Sequence, residues 1–322
     1  MKEEKEYVLG IDIGGTYTKL GLVNRNGDIL ANSFFDTQAQ SSFSIFQKKI
    51  EKEISNLKSK LQKEQQLLAI GIGAPNANFN TGKMEHPPNF KWGDYVPITD
   101  SINRILDLPL TITNDANAAA LGEMHFGMAK GMKDFVVLTL GTGLGSGLVS
   151  HGALITGANG MAGELGHVNV FPNGRQCNCG LKGCLETYAS VTGIRRTVFE
   201  LISEMNIESP LKKLSFKELS GQKISEAALN GDVIALKAFE YTGKILGSKM
   251  ADTAAHLDPE AFILTGGLSN AGKILLDPII SSMEENLFNA YKKKIKVLIS
   301  SSPSSNAVLG PAALAWQSLD SN

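Results

Sequence analysis

The sequence predicts an α/β protein built from two related lobes. Strand-like apolar runs alternate with helical segments along the 322 residues, and this alternation is typical of the α/β class. Residues 9–23 and 136–149 share one order of features: an apolar strand, a turn of Gly and Thr, and a Gly-Leu-Val ending. The repeat suggests that each lobe presents a turn rich in backbone groups. Two unrelated hairpins with glycine turns would give the same pattern.

In the first third of the chain, apolar runs and their turns place the elements. Residues 7–13 and 19–23 predict two strands joined by a turn of small residues. Apolar side chains then recur at steps of three and four over residues 46–61, which predicts an amphipathic helix. Residues 67–73 predict another strand. The stretch 75–92 is rich in Pro, Gly and Asn and predicts a long loop, a feature that is often functional in a compact domain.

The later elements follow from the same signals. Residues 115–124 predict a helix that begins at an acidic residue, and a glycine-rich turn at residues 141–147 separates two strands. A long helical stripe of apolar residues ends before Pro259, and the strand after it runs into two glycines. The remaining strands are expected at residues 135–140, 147–149 and 261–265, and the remaining helices at residues 232–257 and 307–316.

Charge and hydropathy argue against several classes of partner. The chain has 31 Lys and Arg against 32 Asp and Glu, a formal net charge of −1 at pH 7. No excess of positive charge is available for nucleic acid or for an anionic membrane. The charged start, residues 1–6, is unlike a signal peptide, and no apolar run approaches the ~20 residues of a membrane span. We therefore expect a cytoplasmic protein without a nucleic-acid or membrane partner.

The first binding motif is the stretch 12–19, Asp-Ile-Gly-Gly-Thr-Tyr-Thr-Lys. Successive glycines, Gly14 and Gly15, allow backbone N–H groups to turn toward a phosphate, and the threonine hydroxyls add donors. Asp12, at the expected end of a strand, could bind a Mg²⁺ ion or one of its waters. A hairpin turn would carry the same sequence at least as often, so this interpretation depends on the other motifs.

A second glycine-rich motif spans residues 141–147, with four glycines in seven positions. It lacks the G-x-G-x-x-G spacing of a dinucleotide-binding fold, which argues against an oxidoreductase. We interpret it as a second turn that binds phosphate.

A third motif, residues 267–273, matches the phosphate-loop pattern G-x-x-x-x-G-K. The next residue is Ile274, which has no hydroxyl for Mg²⁺, so the match fails at its metal ligand. Gly266 and Gly267 would instead allow the adenosine part of a nucleotide to approach the end of a strand.

All three cysteines of the chain lie within eight positions, downstream of a histidine. One imidazole and three thiolates form a closed tetrahedral Zn²⁺ set, which orders a loop rather than doing chemistry. Three surface thiols and an unrelated histidine are the alternative. Glu164 and Glu186 flank the cluster and could bind the hydroxyls of a polyol, or could be ordinary surface acids. The expected zinc ligands are His167, Cys177, Cys179 and Cys184.

Asp115 lies where a strand gives way to a helix, in the stretch 113–117. Side chains at such a position point into a cleft, and a carboxylate there could accept the proton of an attacking hydroxyl. An ordinary N-cap aspartate is an equally common interpretation of this residue alone.

Taken together, these motifs resemble the ROK family of sugar kinases and repressors over nearly the whole chain. The resemblance implies an actin-like, ribonuclease H-like ATPase fold, in which two α/β lobes close over a cleft. The first lobe would comprise residues 1–114 with a C-terminal helix at about 305–322, and the second, larger lobe residues 115–304 with the zinc knuckle. The motifs are DIGGTYTK at 12–19, NDANAAALGE at 114–123, LGTGLGSG at 140–147, GELGH at 163–167 and CNCGLKGCLE at 177–186.

The resemblance also implies residue roles. Asp115 resembles the general base that deprotonates the sugar hydroxyl. The residues that resemble the family's sugar-binding groups are Asn89, Asn114, Asp115, Glu164, His167 and Glu186. The residues that would line ATP and its Mg²⁺ are Asp12, Gly14, Gly15, Thr16, Lys19, Thr142, Gly143, Gly266 and Gly267.

The implied activity is ATP-dependent phosphorylation of a hexose 6-hydroxyl, with glucose as the expected sugar. N-acetylmannosamine, N-acetylglucosamine and fructose are the alternatives, because Asn76 follows the GIGAP strand end where the family commonly has glycine. A sugar-sensing repressor or a non-catalytic sugar-binding protein is the alternative from another class. Family repressors carry a helix-turn-helix ahead of the first strand, and six residues precede Tyr7, so we expect a kinase. A homodimer or higher homo-oligomer is expected from the resemblance.

Overall fold

The structure is a computed structural model that describes residues 5–301 and 307–320. Residues 305–306 and 321–322 of the expected C-terminal segment, and most of the charged start, lie outside the described residues. The strands are β1 (Glu6–Ile13), β2 (Tyr17–Val23), β3 (Ile29–Asp36), β4 (Gln66–Gly73), β5 (Ala77–Asn78), β6 (Lys83–Glu85), β7 (Tyr95–Val96), β8 (Leu110–Thr113), β9 (Phe135–Leu140), β10 (Leu144–Ser150), β11 (Ala153–Leu154), β12 (Ala261–Thr265) and β13 (Lys296–Ile299). The α-helices are α1 (Phe43–Lys58), α2 (Ile98–Asn103), α3 (Asp115–Phe126), α4 (Val191–Glu204), α5 (Gly221–Leu229), α6 (Val233–Leu257), α7 (Lys273–Asn286) and α8 (Leu309–Asp320).

Contacts divide the chain into two units, which confirms the expected α/β class with two lobes. The first unit comprises residues 1–131, 154–162 and 301–322, and the second comprises residues 132–153 and 163–300. Among the described residues, no helix combines the length and the apolar character that a membrane crossing requires.

The first unit is built on a five-stranded sheet in the order β3-β2-β1-β4-β8. β1 pairs antiparallel with β2 and parallel with β4, and β8 continues parallel to β4. Alternate residues of a strand point to opposite faces of the sheet, and a helix covers each face. Leu9 and Ile11 pack with the apolar stripe of α1, whereas Val8 packs with α8. Gly10 and Gly71 lie under α8, where an added Cβ would collide with its backbone.

A three-stranded antiparallel sheet, β5-β6-β7, lies partly within the stretch that the sequence predicted as one long loop. β5 and β6 fall inside residues 75–92, so that prediction is wrong for these positions. Strands of two and three residues are too short to show an alternating pattern, which explains why the sequence did not reveal them.

Helix α3 lies in the first unit, packed on α8. A Cβ added to Gly122 would lie 3.1 Å from the Cα of Gly310, so glycines allow the two helices to approach closely. The family resemblance implied that this helix lies in the second lobe, with the first lobe ending at residue 114. The unit boundary instead falls after Gly131, because the contact between α3 and α8 joins segments that are nearly 200 residues apart.

The second unit is built on a sheet in the order β11-β10-β9-β12-β13. β9 pairs antiparallel with β10 and parallel with β12, and β12 pairs parallel with β13. Hairpin β9–β10 therefore occupies the same place in its sheet as β1–β2 does in the first, as the sequence repeat suggested. β10 begins at Leu144 because Gly145 and Gly147 are paired in the ladder. The turn is thus residues 141–143, shorter than predicted.

The long helix α6 of the second unit packs extensively against α7. α6 agrees with the predicted span, and its N-cap is Asp232, whose Oδ1 accepts a hydrogen bond from the backbone N–H of Ala235 at 2.8 Å. Asp258 ends the helix in the left-handed conformation, with φ of 44°. The strand β12 that follows is the predicted one.

Candidate active site

Asp12 and Asp115 form a pair of neighbouring carboxylates in the first unit. Strands β1, β4 and β8 are parallel, so the residues at their C-terminal ends meet at one edge of the sheet. Burial raises the pKa of Asp12 to about 7, the charge of Asp115 adds to the rise, and Lys19 opposes it. Lys19 stands opposite Asp12 in the β1–β2 ladder. The site thus holds two carboxyl groups near one lysine, and a divalent cation would stabilise their ionised forms.

Asp115 is the first residue of α3 rather than its cap. The cap is Asn114, whose Oδ1 accepts a hydrogen bond from the backbone N–H of Asn117 at 2.8 Å. The interpretation of Asp115 as an ordinary N-cap is therefore wrong. Oδ1 of Asp115 accepts from the N–H of Ala116 at 2.9 Å, which orients the carboxylate at the start of the helix.

The carboxylate of Asp115 is suited to accepting a proton. The residue is exposed, so a ligand can reach it. Surrounding protein nevertheless displaces much of the water near the carboxylate, and this desolvation raises its pKa, while the amides of Ala116 and Asp115 oppose the rise. A raised pKa makes a carboxylate a stronger base once it is ionised.

The turn between β1 and β2 is formed by residues 14–16. The N–H of Gly14 donates to the carbonyl of Tyr17 at 3.0 Å, and Gly15 and Thr16 are exposed. Thr18 is fully buried, and its hydroxyl lies 2.8 Å from that of Thr37. The expectation that the threonines of this motif add donors to a phosphate is therefore wrong for Thr18.

Asn89 lies in the loop after β6 with a left-handed backbone, φ of 67°. Its side chain is exposed, and its carbonyl accepts a hydrogen bond from Nε2 of Gln40 at 2.6 Å. A sugar-binding role for Asn89 stays a prediction.

Glu186 connects the glycine turn of the second unit to the cysteine cluster. Its Oε2 accepts a hydrogen bond from the N–H of Leu144 at 3.0 Å, and a Cβ added to Gly143 would overlap this carboxylate. Its Oε1 lies 3.7 Å from Sγ of Cys177. Sequence reasoning missed this link, because the only local sign of it is a glycine at position 143.

The glycine turn is also held by the start of α4. The N–H of Val191 donates to the carbonyl of Gly141 at 2.9 Å, and that of Thr192 donates to the carbonyl of Thr142 at 3.4 Å. Thr142 itself is exposed. These bonds fix the turn from the protein side and leave the side chain of Thr142 open to a ligand.

Ser146, on β10, holds the backbone on both sides of Glu164. Its hydroxyl donates to the carbonyl of Gly163 and accepts from the N–H of Leu165 at 3.2 Å. Ser146 is buried, whereas Glu164 is exposed and precedes a short 3₁₀ segment that ends at His167. The structure therefore presents Glu164 from a backbone that is bonded at both neighbouring positions.

The four expected zinc ligands lie together. Their donor atoms are all within 4.8 Å of one another, with Sγ of Cys179 and Cys184 3.7 Å apart and Nδ1 of His167 3.8 Å from Sγ of Cys177. Tetrahedral zinc separates two sulfur ligands by about 3.8 Å and a sulfur from a nitrogen by about 3.6 Å. The donor set fits zinc in chemistry and spacing. Gly180 and Gly183 both have positive φ, as expected of a tight knuckle.

The two glycines after β12 differ in their surroundings. Gly266 has φ of 93°, and an added Cβ would lie 2.7 Å from the carbonyl carbon of Leu140. A Cβ on Gly267 would meet no atom within 4 Å. Gly266 is thus required by the close approach of β9, while Gly267 leaves space at the strand end. The next helix, α7, begins only at Lys273.

The chain is similar to known proteins of one family. A profile of the ROK family matches residues 8–318. A glucokinase of Halalkalibacterium halodurans is 38% identical over 86% of this chain and 85% of its own length. A glucokinase of Thermotoga maritima is 34% identical over 95% of this chain and 96% of its own. The crystal structure of a ROK family glucokinase from Streptomyces griseus, in complex with glucose and AMPPNP, is 33% identical, has a TM-score of 0.80, and is matched over 97% of this chain and 99% of that one.

Proposed function

This chain belongs to the ROK family, and from that membership we propose that it transfers the γ-phosphoryl group of ATP to the 6-hydroxyl of glucose. The relatives named glucokinase support the choice of sugar, and the complex with glucose and AMPPNP supports the choice of donor. The observation in this chain that carries the proposal is Asp115, an exposed residue at the start of α3 whose carboxylate has a raised pKa.

In the proposed reaction, Asp115 accepts the proton of the 6-hydroxyl while the hydroxyl oxygen attacks the γ-phosphorus. The bond between the γ-phosphorus and the β–γ bridging oxygen breaks, and ADP leaves with that oxygen. Because the phosphoryl group carries most of the developing charge, backbone N–H groups of glycine turns are suitable donors to it. Exclusion of water from the site would prevent hydrolysis of ATP.

The turn that contains Gly14, Gly15 and Thr16 and the turn that contains Thr142 and Gly143 are proposed to bind the nucleotide phosphates. Asp12, with Lys19 beside it, would hold a Mg²⁺ ion directly or through water. Mg²⁺, when bound, would neutralise charge on the phosphate oxygens. The pKa of Asp12 is raised to about 7 by burial and then by the charge of Asp115, which supports this role, because a cation there would stabilise the ionised carboxylate. Gly266 and Gly267 are proposed to lie against the adenosine.

The sugar is proposed to bind to Asn89, Asn114, Glu164, His167 and Glu186. Glu164 is exposed, and Ser146 holds the backbone next to it, which supports a role for Glu164 in binding and orienting the sugar. The carboxylate of Glu186 accepts one hydrogen bond from the N–H of Leu144, but an ionised carboxylate can accept about four. It can therefore bind a sugar hydroxyl and the glycine turn together.

We propose that His167 and the three cysteines hold a structural zinc ion. Such an ion would order the segment from Glu164 to Glu186, which carries three of the proposed sugar ligands. It would take no part in phosphoryl transfer, because four protein ligands leave no open coordination position.

The proposal is tested by measuring ADP release in a coupled assay over glucose, fructose, N-acetylmannosamine and N-acetylglucosamine. We expect strong turnover with glucose that is abolished in Asp115→Asn. Preference for an N-acetylhexosamine or fructose would overturn the choice of sugar and leave the chemistry in place. Binding of glucose by calorimetry without turnover on any sugar would instead favour the sugar-sensing or non-catalytic alternative. Sedimentation of the same preparation tests the expected homodimer or higher oligomer.

A further inference from the structure

Thr37, the residue after β3, forms hydrogen bonds that hold the glycine turn of the first unit, residues 14–16. It is fully buried, with 0% of its surface exposed. Its backbone N–H donates to the carbonyl of Thr16 at 2.9 Å, and its hydroxyl donates to the carbonyl of Gly14 at 2.7 Å. The hydroxyl also lies 2.8 Å from that of Thr18. One side chain and one amide thus reach three residues of the segment 14–18.

The direction of these hydrogen bonds follows from the number of protons. A threonine hydroxyl carries one hydrogen, and that of Thr37 is donated to Gly14. The hydroxyl of Thr18 must therefore donate to Thr37. Thr37 is the junction of a short chain of hydrogen bonds that runs from Thr18 to the Gly14 carbonyl. Substitution of Thr18 would remove one bond and leave the bond to Gly14 in place.

The bond to Gly14 sets the direction of the next amide. A peptide unit is planar and trans, so the C=O of one residue and the N–H of the next point in opposite directions. Because the Gly14 carbonyl points inward to Thr37, the N–H of Gly15 points away from Thr37. Gly15 is exposed, and a Cβ added to it would meet no atom within 4 Å. The amide of Gly15 therefore points away from the buried Thr37, on an exposed residue that a phosphate oxygen can approach.

We infer that Thr37 is a positioning residue for nucleotide binding: its hydroxyl holds the Gly14 carbonyl so that the Gly15 amide faces a phosphate of ATP. The inference rests on the nucleotide-binding role proposed above for this turn. Thr37 lies outside the glycine motif and needs no contact with the ligand. Its effect is to restrict the rotation of the peptide unit between Gly14 and Gly15, because two successive glycines otherwise allow many backbone conformations.

The test compares Thr37→Val, Thr37→Ser and Thr18→Val with the unaltered chain by calorimetric titration with Mg·ADP and, separately, with glucose. Thr37→Val keeps the size of the side chain and removes the hydroxyl, and we expect it to weaken Mg·ADP binding about tenfold while glucose binding stays unchanged. Thr37→Ser restores the hydroxyl and should bind Mg·ADP as the unaltered chain does. In kinetics, the KM for ATP should rise in Thr37→Val with kcat changed less than about twofold.

Thr18→Val is the matched control, since it makes the same change at a buried threonine and spares the bond to Gly14. We expect it to lower the melting temperature without weakening Mg·ADP binding. Unchanged Mg·ADP binding in Thr37→Val would overturn the inference, and so would an equal loss in Thr18→Val or an equal loss of glucose binding. If Thr37→Val does not fold, Thr37→Ala removes the same hydroxyl and carries the same expectation. Turnover on no sugar with intact Mg·ADP binding would contradict the proposed function and leave this binding test valid.

Discussion

In the proposed reaction Asp115 accepts one proton, so its effect on kcat can be measured separately from nucleotide binding. Asp115→Asn keeps the shape of the side chain, and the amide oxygen can still accept from Ala116. The variant loses the base, and positioned proton transfer is worth roughly 10²- to 10⁴-fold. We expect kcat with glucose to fall by about a thousandfold while Mg·ADP binding stays within about twofold, measured by the coupled assay and by calorimetry.

Asp107→Asn is the control for this prediction, because Asp107 is an exposed carboxylate of the same unit. It should leave kcat unchanged. Near-full activity in Asp115→Asn would show that another group accepts the proton, or that the transition state needs no base.

At the scale of elements, β10 holds two segments of the second unit that carry proposed sugar ligands. Leu144 binds Glu186 through its backbone, and Ser146 binds the residues on either side of Glu164. Ser146→Ala removes both of the latter bonds. We expect the KM for glucose to rise about tenfold, because the backbone that positions the proposed sugar ligand Glu164 loses two hydrogen bonds. The KM for ATP should stay unchanged.

The contrast with Thr37→Val is the control for Ser146→Ala, because the two variants should weaken different ligands. Steady-state kinetics with each substrate varied in turn measures both. An equal rise of the two KM values in Ser146→Ala would mean that the serine supports the fold generally rather than Glu164.

The proposed zinc knuckle, formed by His167 and the three cysteines, is a second element whose removal has a defined result. Cys179 is the exposed member of the ligand set, so Cys179→Ser changes little packing. We expect zinc, measured by plasma mass spectrometry, to fall from about one ion per chain to near zero, and the melting temperature to fall with it. Incubation of the unaltered chain with a chelator should do the same, and added zinc should reverse it. A full complement of zinc in Cys179→Ser would contradict the assignment of this ligand.

At the scale of the whole molecule, the pH dependence of stability should reflect His125 on α3. Its Nε2 is buried and has no hydrogen-bond partner among the described residues. Burial lowers the pKa of His125 below its ordinary 6.5, and Asp320 on α8 opposes the shift. As pH falls through 6.5, the unfolded chain therefore binds a proton that the folded chain does not. The free energy of unfolding should decrease from this pH down to the lower pKa of the folded state.

Denaturant unfolding at pH 7.5 and pH 5.5 tests this sign. His125→Gln should lose less stability between the two pH values than the unaltered chain loses. His256→Gln alters an exposed histidine and should leave that difference unchanged. A difference of the same size in His125→Gln and in the unaltered chain would contradict the prediction.

The sequence by itself determined the α/β class, the paired hairpins, the cluster of one histidine and three cysteines, and the family. These features are written in local patterns: periodic apolar residues, glycine turns and a cysteine cluster within eight positions. Local patterns survive in the fold because neighbours in sequence stay neighbours in space. The same logic explains the misses within the stretch 75–92 and in the extent of the second glycine turn, where short strands and paired glycines give no periodic signal.

Only the tertiary structure decided which residues support the candidate site. The hydrogen bond of Thr37 to Gly14, the bond of Glu186 to Leu144 and the packing of α3 on α8 each join residues that are 23 or more positions apart. No local pattern specifies such contacts, because each depends on which strands and helices become neighbours once the sheets form. The residues of the candidate site could therefore be identified from local motifs, whereas the contacts that position them join distant segments.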